Sequence, residues 1–239
     1  MSREKPDALW RAIHDSLSGD IAAGRYCPGD KLPTEAALAG RFGVNRHTVR
    51  RALGALAEAG VIFSRRGAGV FVAHRPTEYP IGRRVRFHRN LQAAGRLPTK
   101  EILALETRSA DAAEAEALGL PPGGAVHVCD GLSLADGVPV ALFRSTFPAA
   151  RFPGLPEALG RLRSVTAALA EQGVADFTRA STRLNAKLAS PMQAVHLALS
   201  PGAPILRTIA VNVDPEGWPI EYGRTWFAGD RITLTLADL

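Results

Sequence analysis

The sequence predicts an α+β chain of two modules, and three observations carry that prediction. Residues 7–60 hold three runs of apolar residues at helical spacing, separated by capping residues and glycines. Two short β-prone runs follow, joined by a basic, glycine-rich tip. Beyond residue 109 a pattern of helix, strand, turn and strand occurs twice.

The first helix is expected over 7–23, where Leu9, Ile13, Leu17 and Ile21 recur at i+4 before Gly24. Thr34 follows Pro33 at an N-cap position ahead of Leu38 and Phe42, and Gly43 stops that second helix. Asn45 caps a third, in which Val49, Ala52, Leu53, Leu56 and Ala57 form a buried face. Gly60 ends it. The runs 61–64 and 70–72 then flank Arg65-Arg66-Gly67-Ala68-Gly69, where glycine is free to take positive φ. Two helices joined by a tight turn and followed by a basic hairpin make a winged helix-turn-helix, assigned to residues 1–75.

Nothing in folding requires the charge on this module. From Arg41 to Arg66 there are six arginines and one acid, Glu58. Arg46, His47, Arg50 and Arg51 lie opposite the apolar face of the third helix. A solvated charged face usually mixes signs; this one does not, and arginine forks suit guanine edges and phosphates in a major groove. Double-stranded DNA is the expected partner.

The stretch LPTEAALAGRFGVNRHTVRRAL resembles the DNA-binding head of GntR-type bacterial transcription regulators. The resemblance implies that Arg46, His47, Thr48 and Arg50 meet DNA at the helix start and that Gly67 at the wing tip enters the minor groove; beside them Thr34, Arg51, Arg65, Arg66 and Gly69 are expected at the DNA. Many relatives carry an arginine where this chain has Ala36 or Ala37, so one contact of theirs is missing here.

The chain's charge is uneven. Of 29 Lys+Arg and 23 Asp+Glu, residues 1–75 hold twelve and seven, leaving the rest nearly neutral with seventeen and sixteen. A basic head on a neutral body fits one nucleic-acid module joined to something with another task. Cys27 and Cys129 lie in different segments, so a disulfide framework is not expected and a reducing cytoplasm is. No run has signal-peptide or membrane-span length, so no membrane is expected as a partner.

Residues 76–81, with Pro76 and Pro80, read as a linker to a body over 82–239. Phe87-His88 precede an amphipathic helix from Leu91, whose N-terminus would offer N–H groups to an anion. Ser109 is placed as the cap of a helix at 110–118 and Ser190 as the cap of one at 191–199. After each helix come a strand, a glycine turn and a second strand: Leu118, Pro122, Pro139, Arg144 and Phe147 match Leu197, Pro201, Pro219, Arg224 and Phe227. Two helix-plus-hairpin units in one antiparallel sheet are the simplest assembly, with a short helix near Ser164 and a strand at 177–186 between them.

No Cys-x-x-Cys, His-x-x-x-His or glycine-rich phosphate loop occurs, so neither a metal nor a cofactor is implied. The body, above all PIEYGRTWFAGDRITL, resembles the UTRA effector domain of the HutC branch of GntR regulators, a fold shared with chorismate lyase. FHRNL, SVTAAL and FAGDR look most like regulators of phosphonate metabolism. The resemblance implies a homodimer that senses a small molecule, with ligand contacts at Phe87, His88, Ser164, Glu221 and Phe227. Thr225 shares the strand face of Glu221 and Phe227, and Ser133 is expected with them at the ligand. Sugar-phosphate-sensing relatives carry an Arg-x-Arg where this chain has Gly131 and Ser133, which leaves anion charge to be met by Arg144, Arg179 or Arg183. The expectation is a DNA-binding regulator, read as a repressor, with an anionic effector; a ligand-independent DNA-binding protein and a lyase-like enzyme on a DNA-binding head are the alternatives.

Overall fold

The computed structural model describes residues 6–65, 67–74 and 76–236. Its contacts divide the chain into two compact units, Met1–Arg75 and Pro76–Leu239.

In the first unit, helices α1 (Pro6–Ala22), α2 (Glu35–Phe42) and α3 (Arg46–Glu58) precede a hairpin of β1 (Ile62–Arg65) and β2 (Gly69–Val72). The caps act as the sequence predicts. Thr34 Oγ1 accepts from the Ala37 amide at 3.2 Å, and Asn45 Oδ1 accepts from the Thr48 amide at 2.8 Å. Gly43, at φ 64°, closes α2 in the left-handed region. Ile13, Leu17, Leu38, Val49, Ala52, Leu56, Ile62 and Val72 interlock as one core, so helices and wing hold each other in place. Asp20 on α1 pairs with Arg25 and reaches Arg41 on α2 at 2.7 Å.

The second unit begins where a linker was expected. Thr77–Pro80 form a strand, β3, paired in parallel with the last strand of the chain. Thr77, Tyr79 and Ile81 are buried while Glu78 and Pro80 are exposed, which is strand alternation. Pro80 signalled a break, but a strand with a single partner tolerates proline. The chain continues through α4 (Phe87–Ala93), β4 (Pro98–Ser109), α5 (Ala112–Leu118), β5 (Ala125–Ala135) and β6 (Val138–Pro148). Next come α6 (Leu155–Leu162), α7 (Val165–Glu171), β7 (Thr178–Leu188), α8 (Pro191–His196), β8 (Pro204–Val213), β9 (Pro219–Ala228) and β10 (Ile232–Thr235).

Six strands form one antiparallel sheet in the order β4-β5-β6-β9-β8-β7. That order is the sequence repeat made visible: β4-α5-β5-β6 and β7-α8-β8-β9 meet through β6 and β9, which pair Arg144 with Arg224. The helix caps repeat too, with Asp111/Glu114 and Ser190/Gln193 both closing capping boxes. The cap of α5 is therefore Asp111; Ser109 is the last residue of β4. Helices α5 and α8 pack on one sheet face. The other face is covered by α6 and α7 over Cys129, Phe143 and Phe147, and by β3, β10 and α4 around Tyr79, Leu91 and Phe227. Among the described residues no helix is long and apolar enough to cross a membrane.

Candidate nucleic-acid interface and ligand cavity

In the first unit the third helix presents its polar face outward: Arg46, His47, Arg50 and Arg51 are all exposed, and Thr48 is half-buried beside its cap. They are not equivalent. Arg50 forks onto Glu35 of α2, Nε to Oε1 at 3.1 Å and Nη2 to Oε2 at 2.7 Å. That pairing holds the Glu35 carboxyl below its ordinary pKa. The Arg51 guanidinium lies 4.9 Å from the Trp10 ring centre, and Arg65 spans Phe63 and Phe71 at 5.2 and 5.0 Å. Arg66 lies outside the described residues. At the wing tip Gly67 has φ 76°. Gly69 has a further reason to be glycine, since a Cβ there would stand 2.7 Å from Lys31 Cε.

In the second unit a cavity of about 110 Å³ opens between the sheet and its cover of β3, α4 and α7. Eight of the ten expected ligand residues line it: Phe87, His88, Ser133, Ser164, Arg179, Glu221, Thr225 and Phe227. Strand alternation brings them together. Ser133 pairs with Ala141, which pairs with Phe227; Phe143 pairs with Thr225; Arg179 pairs with Asn212, which pairs with Glu221. Residues opposed across antiparallel strands share a face, so all of these project to one side. Phe87 and His88 are the first two residues of α4 rather than a loop ahead of it. Ser164 caps α7 through the Ala167 amide and also faces the cavity.

Arg144 is not at the site. Phe143 and Ser145 point into the cavity, so Arg144 between them points away, where Nε and Nη2 each bind the Asp130 carboxylate at 2.7 Å. Arg183 also leaves the group. A β-bulge between Arg179 and Ser181 inserts one residue into β7, so the two arginines, four apart, fall on opposite sheet faces.

Two further cations line the cavity: Arg86, one of four arginines in 83–89 whose spacing left anion binding, DNA contact and a solvated face open, and Lys100, which the sequence did not single out. Arg86 donates to the Phe177 carbonyl at 2.7 Å, reaches Asp176 at 3.3 Å and stacks 3.5 Å from the Phe177 ring centre. Lys100, opposite Ser133 in the β4–β5 register, places Nζ 4.1 Å from the Phe143 ring centre and 5.5 Å from that of Phe87. With Arg179 they make three cations around one carboxylate, Glu221. That carboxylate accepts from Ser145 Oγ and Asn212 Nδ2, both at 2.6 Å, while Arg179 Nε donates to Asn212 Oδ1 at 2.8 Å.

Burial depresses the pKa of Lys100, with Glu221 pulling the other way, and it does the same to Arg86 and Arg179. His88 is lowered from 6.5 by burial first and by Lys100 second, so it is neutral at pH 7. Burial pushes the Tyr79 phenol up to about 12, so it stays protonated in the cavity wall. Among the described residues no three His, Cys, Asp or Glu side chains gather as a metal site.

Comparison with known proteins accounts for both units. Residues 9–72 match the family described as bacterial regulatory proteins, gntR family, and residues 93–233 match the UTRA domain. The HTH-type transcriptional regulator RB1450 of Rhizobium meliloti, named as uncharacterized, is 41% identical over 237 residues, covering 99% of this chain and 97% of its own. The HTH-type transcriptional repressor PhnF of Mycolicibacterium smegmatis is 31% identical, covering 87% of this chain and 84% of its own. The crystal structure of PhnF from Mycobacterium smegmatis superposes with a TM-score of 0.67 over 95% of this chain and 99% of that one, at 29% identity. With a winged helix-turn-helix head matched at one end and a UTRA body matched over more than half its length, this chain belongs to the GntR family of bacterial regulatory proteins and is PhnF-like in sequence and fold.

Proposed function

We propose that the chain is a transcriptional repressor that binds a two-fold DNA operator as a homodimer and is controlled by a small anionic effector in the second unit's cavity. The observation that carries this reading is the convergence of Arg86, Lys100 and Arg179 on a cavity whose one carboxylate, Glu221, already accepts two hydrogen bonds. A cavity of that charge binds a phosphonate or phosphate group in preference to a neutral molecule. The likeness of FHRNL, SVTAAL and FAGDR to regulators of phosphonate metabolism makes genes for phosphonate uptake or breakdown the proposed targets.

In the head, Arg46, His47, Thr48 and Arg50 are proposed to read or clamp DNA, with the wing at Arg65–Gly69 against the backbone. For the homodimer, support comes from β7. It is an eleven-residue edge strand exposed along most of its length, and Leu184, Leu188, Met192 and Val195 are solvent-facing on and beside it. Coupling to DNA follows if the operator-bound state has the lower affinity for effector. No observation favours catalysis: the relatives are named as regulators and Glu221 is committed to Ser145 and Asn212.

The experiment is to select duplexes from a random pool with the full chain, then titrate the selected operator complex with methylphosphonate, inorganic phosphate and glycerol. Release by the anions and not by glycerol is the expected result. Release by none, or by glycerol alone, overturns the effector reading. Sedimentation of the full chain as a monomer at micromolar concentration overturns the homodimer.

A further inference from the structure

Resting on the anionic-effector reading above, the geometry points to one cation as the anchor of the ligand's charge: we infer that Lys100, and not either arginine, holds the oxyanion. Both arginines are already engaged by the protein. Arg86 is spent on the Phe177 carbonyl, Asp176 and the Phe177 ring. Arg179 is bonded to Asn212, which is bonded to Glu221, so its charge is compensated through a short relay. Lys100 differs. Among the described residues no carboxylate or carbonyl comes within hydrogen-bond or ion-pair reach of Nζ; its neighbours are the faces of Phe143 and Phe87. An ammonium drawn out of water, with ring faces in contact and Glu221 acting only at a distance, recovers a fraction of its lost hydration. An oxyanion arriving at Nζ recovers the rest.

The strand geometry explains why the cation comes from β4. On β5 the cavity-facing positions near this end are Gly131 and Ser133. A side chain at 131 has no room: a Cβ there would stand 2.5 Å from the Glu101 carbonyl and 2.6 Å from Phe143 Cζ. The Phe143 ring fills that space and becomes the floor beneath Lys100. Directly across from Lys100, Ser133 offers a hydroxyl to the same anion. The cavity therefore has two poles. One is Lys100 with Ser133 and His88, positive and without a directly bonded counter-ion among the described residues; the other is Asn212, Glu221 and Arg179, bonded to one another and rich in acceptors. The ligand class that fits is a small oxyanion whose far end carries hydrogen-bond donors.

The test uses the full-length protein and calorimetric titration with methylphosphonate and with 2-aminoethylphosphonate, which adds a donor to the far end. Wild type is expected to bind both, the second more tightly. Lys100→Met should weaken both at least tenfold, Lys100→Arg should recover part of the loss, and Glu221→Gln should cost the second ligand more than the first. Four lysines occur in the chain, Lys5, Lys31, Lys100 and Lys187, so an ε-¹³C-lysine spectrum assigned by the Lys100→Met variant shows whether methylphosphonate moves the Lys100 signal. Thermal melting of Lys100→Met should be unchanged or higher, since a desolvated charge is removed. If wild type binds but Lys100→Met stays within twofold of it, or the Lys100 signal does not shift, the anchor is elsewhere and this inference falls while the anionic reading stands. If wild type binds neither phosphonate, both fall.

Discussion

Arg144 and Arg224 face each other across the two central strands, and both find their acids in the first half of the repeat: Arg144 pairs with Asp130 on β5, and Arg224 with Asp111 and Glu114 of α5. The sequence repeat matches the same two residues, so they mark the internal two-fold of the sheet. Like charges opposed on a sheet repel unless each finds its own counter-ion. Arg144→Ala should therefore act on stability and not on ligand affinity. The expected loss is about 1 kcal/mol, since the pair is bidentate but partly exposed. Thermal melting should fall by a few degrees while the dissociation constant for methylphosphonate stays within twofold; a tenfold change would return Arg144 to the site.

Acid stability should depend on Glu114. Its side chain is fully buried, and Arg108 binds both oxygens at 2.7 and 2.9 Å, holding its pKa at about 2 against an ordinary 4.5. A carboxyl depressed in the fold contributes stability above pH 4.5 and loses it as pH falls from 4.5 towards 2. At pH 7, Glu114→Gln should cost about 3 kcal/mol, the usual penalty for breaking a buried pair. The gap between wild type and variant in urea unfolding should close across that acid window, and a gap that is flat with pH contradicts the assignment.

Anion affinity should rise on mild acidification. His88 is neutral at pH 7 because burial and Lys100 hold its pKa below 6.5. As pH falls below that range the ring gains a proton beside the cavity, and a bound anion favours that proton by linkage. Methylphosphonate affinity should rise as pH falls below 6.5 in wild type, after correction for the ligand's own titration. In His88→Gln that rise should be smaller.

On DNA, the two helix arginines should behave differently. Arg46 is exposed and, among the described residues, hydrogen-bonds no carboxylate, whereas Arg50 must leave Glu35 to reach a base or phosphate. Arg46→Ala should weaken selected-operator binding by about 1–3 kcal/mol. Glu35→Gln should release Arg50 and steepen the salt dependence of non-specific binding by up to about one phosphate contact. A Glu35→Gln protein with an unchanged salt slope would show that Arg50 stays off the backbone.

The readable parts of this molecule are those set by neighbours in sequence. Thr34, Asn45 and Ser190 are caps because each lies a few residues from the amide it binds, and the amphipathic face of α3 needs only its own spacing. Strand alternation likewise placed Glu221, Thr225 and Phe227 on one face. What was lost depends on partners far along the chain. A single inserted residue at Ala180 separates Arg179 from Arg183, and nothing in the sequence marks a bulge there. Lys100 looks like any strand lysine until its register with Ser133 is known. The strand Thr77–Pro80 was hidden by its prolines, because its partner lies more than 150 residues further on.

The body is fastened at its start by its own end. Thr77 stands beside Ile232 and Pro80 beside Thr235, while Tyr79 between them packs 5.4 Å from Phe227 in the cavity wall. Whatever rearranges that wall when a ligand arrives must pass through a strand whose neighbour is the last one in the chain. A fluorophore or spin label at Thr235 would then listen to the ligand site from outside it, leaving every cavity residue and the whole DNA-binding head untouched.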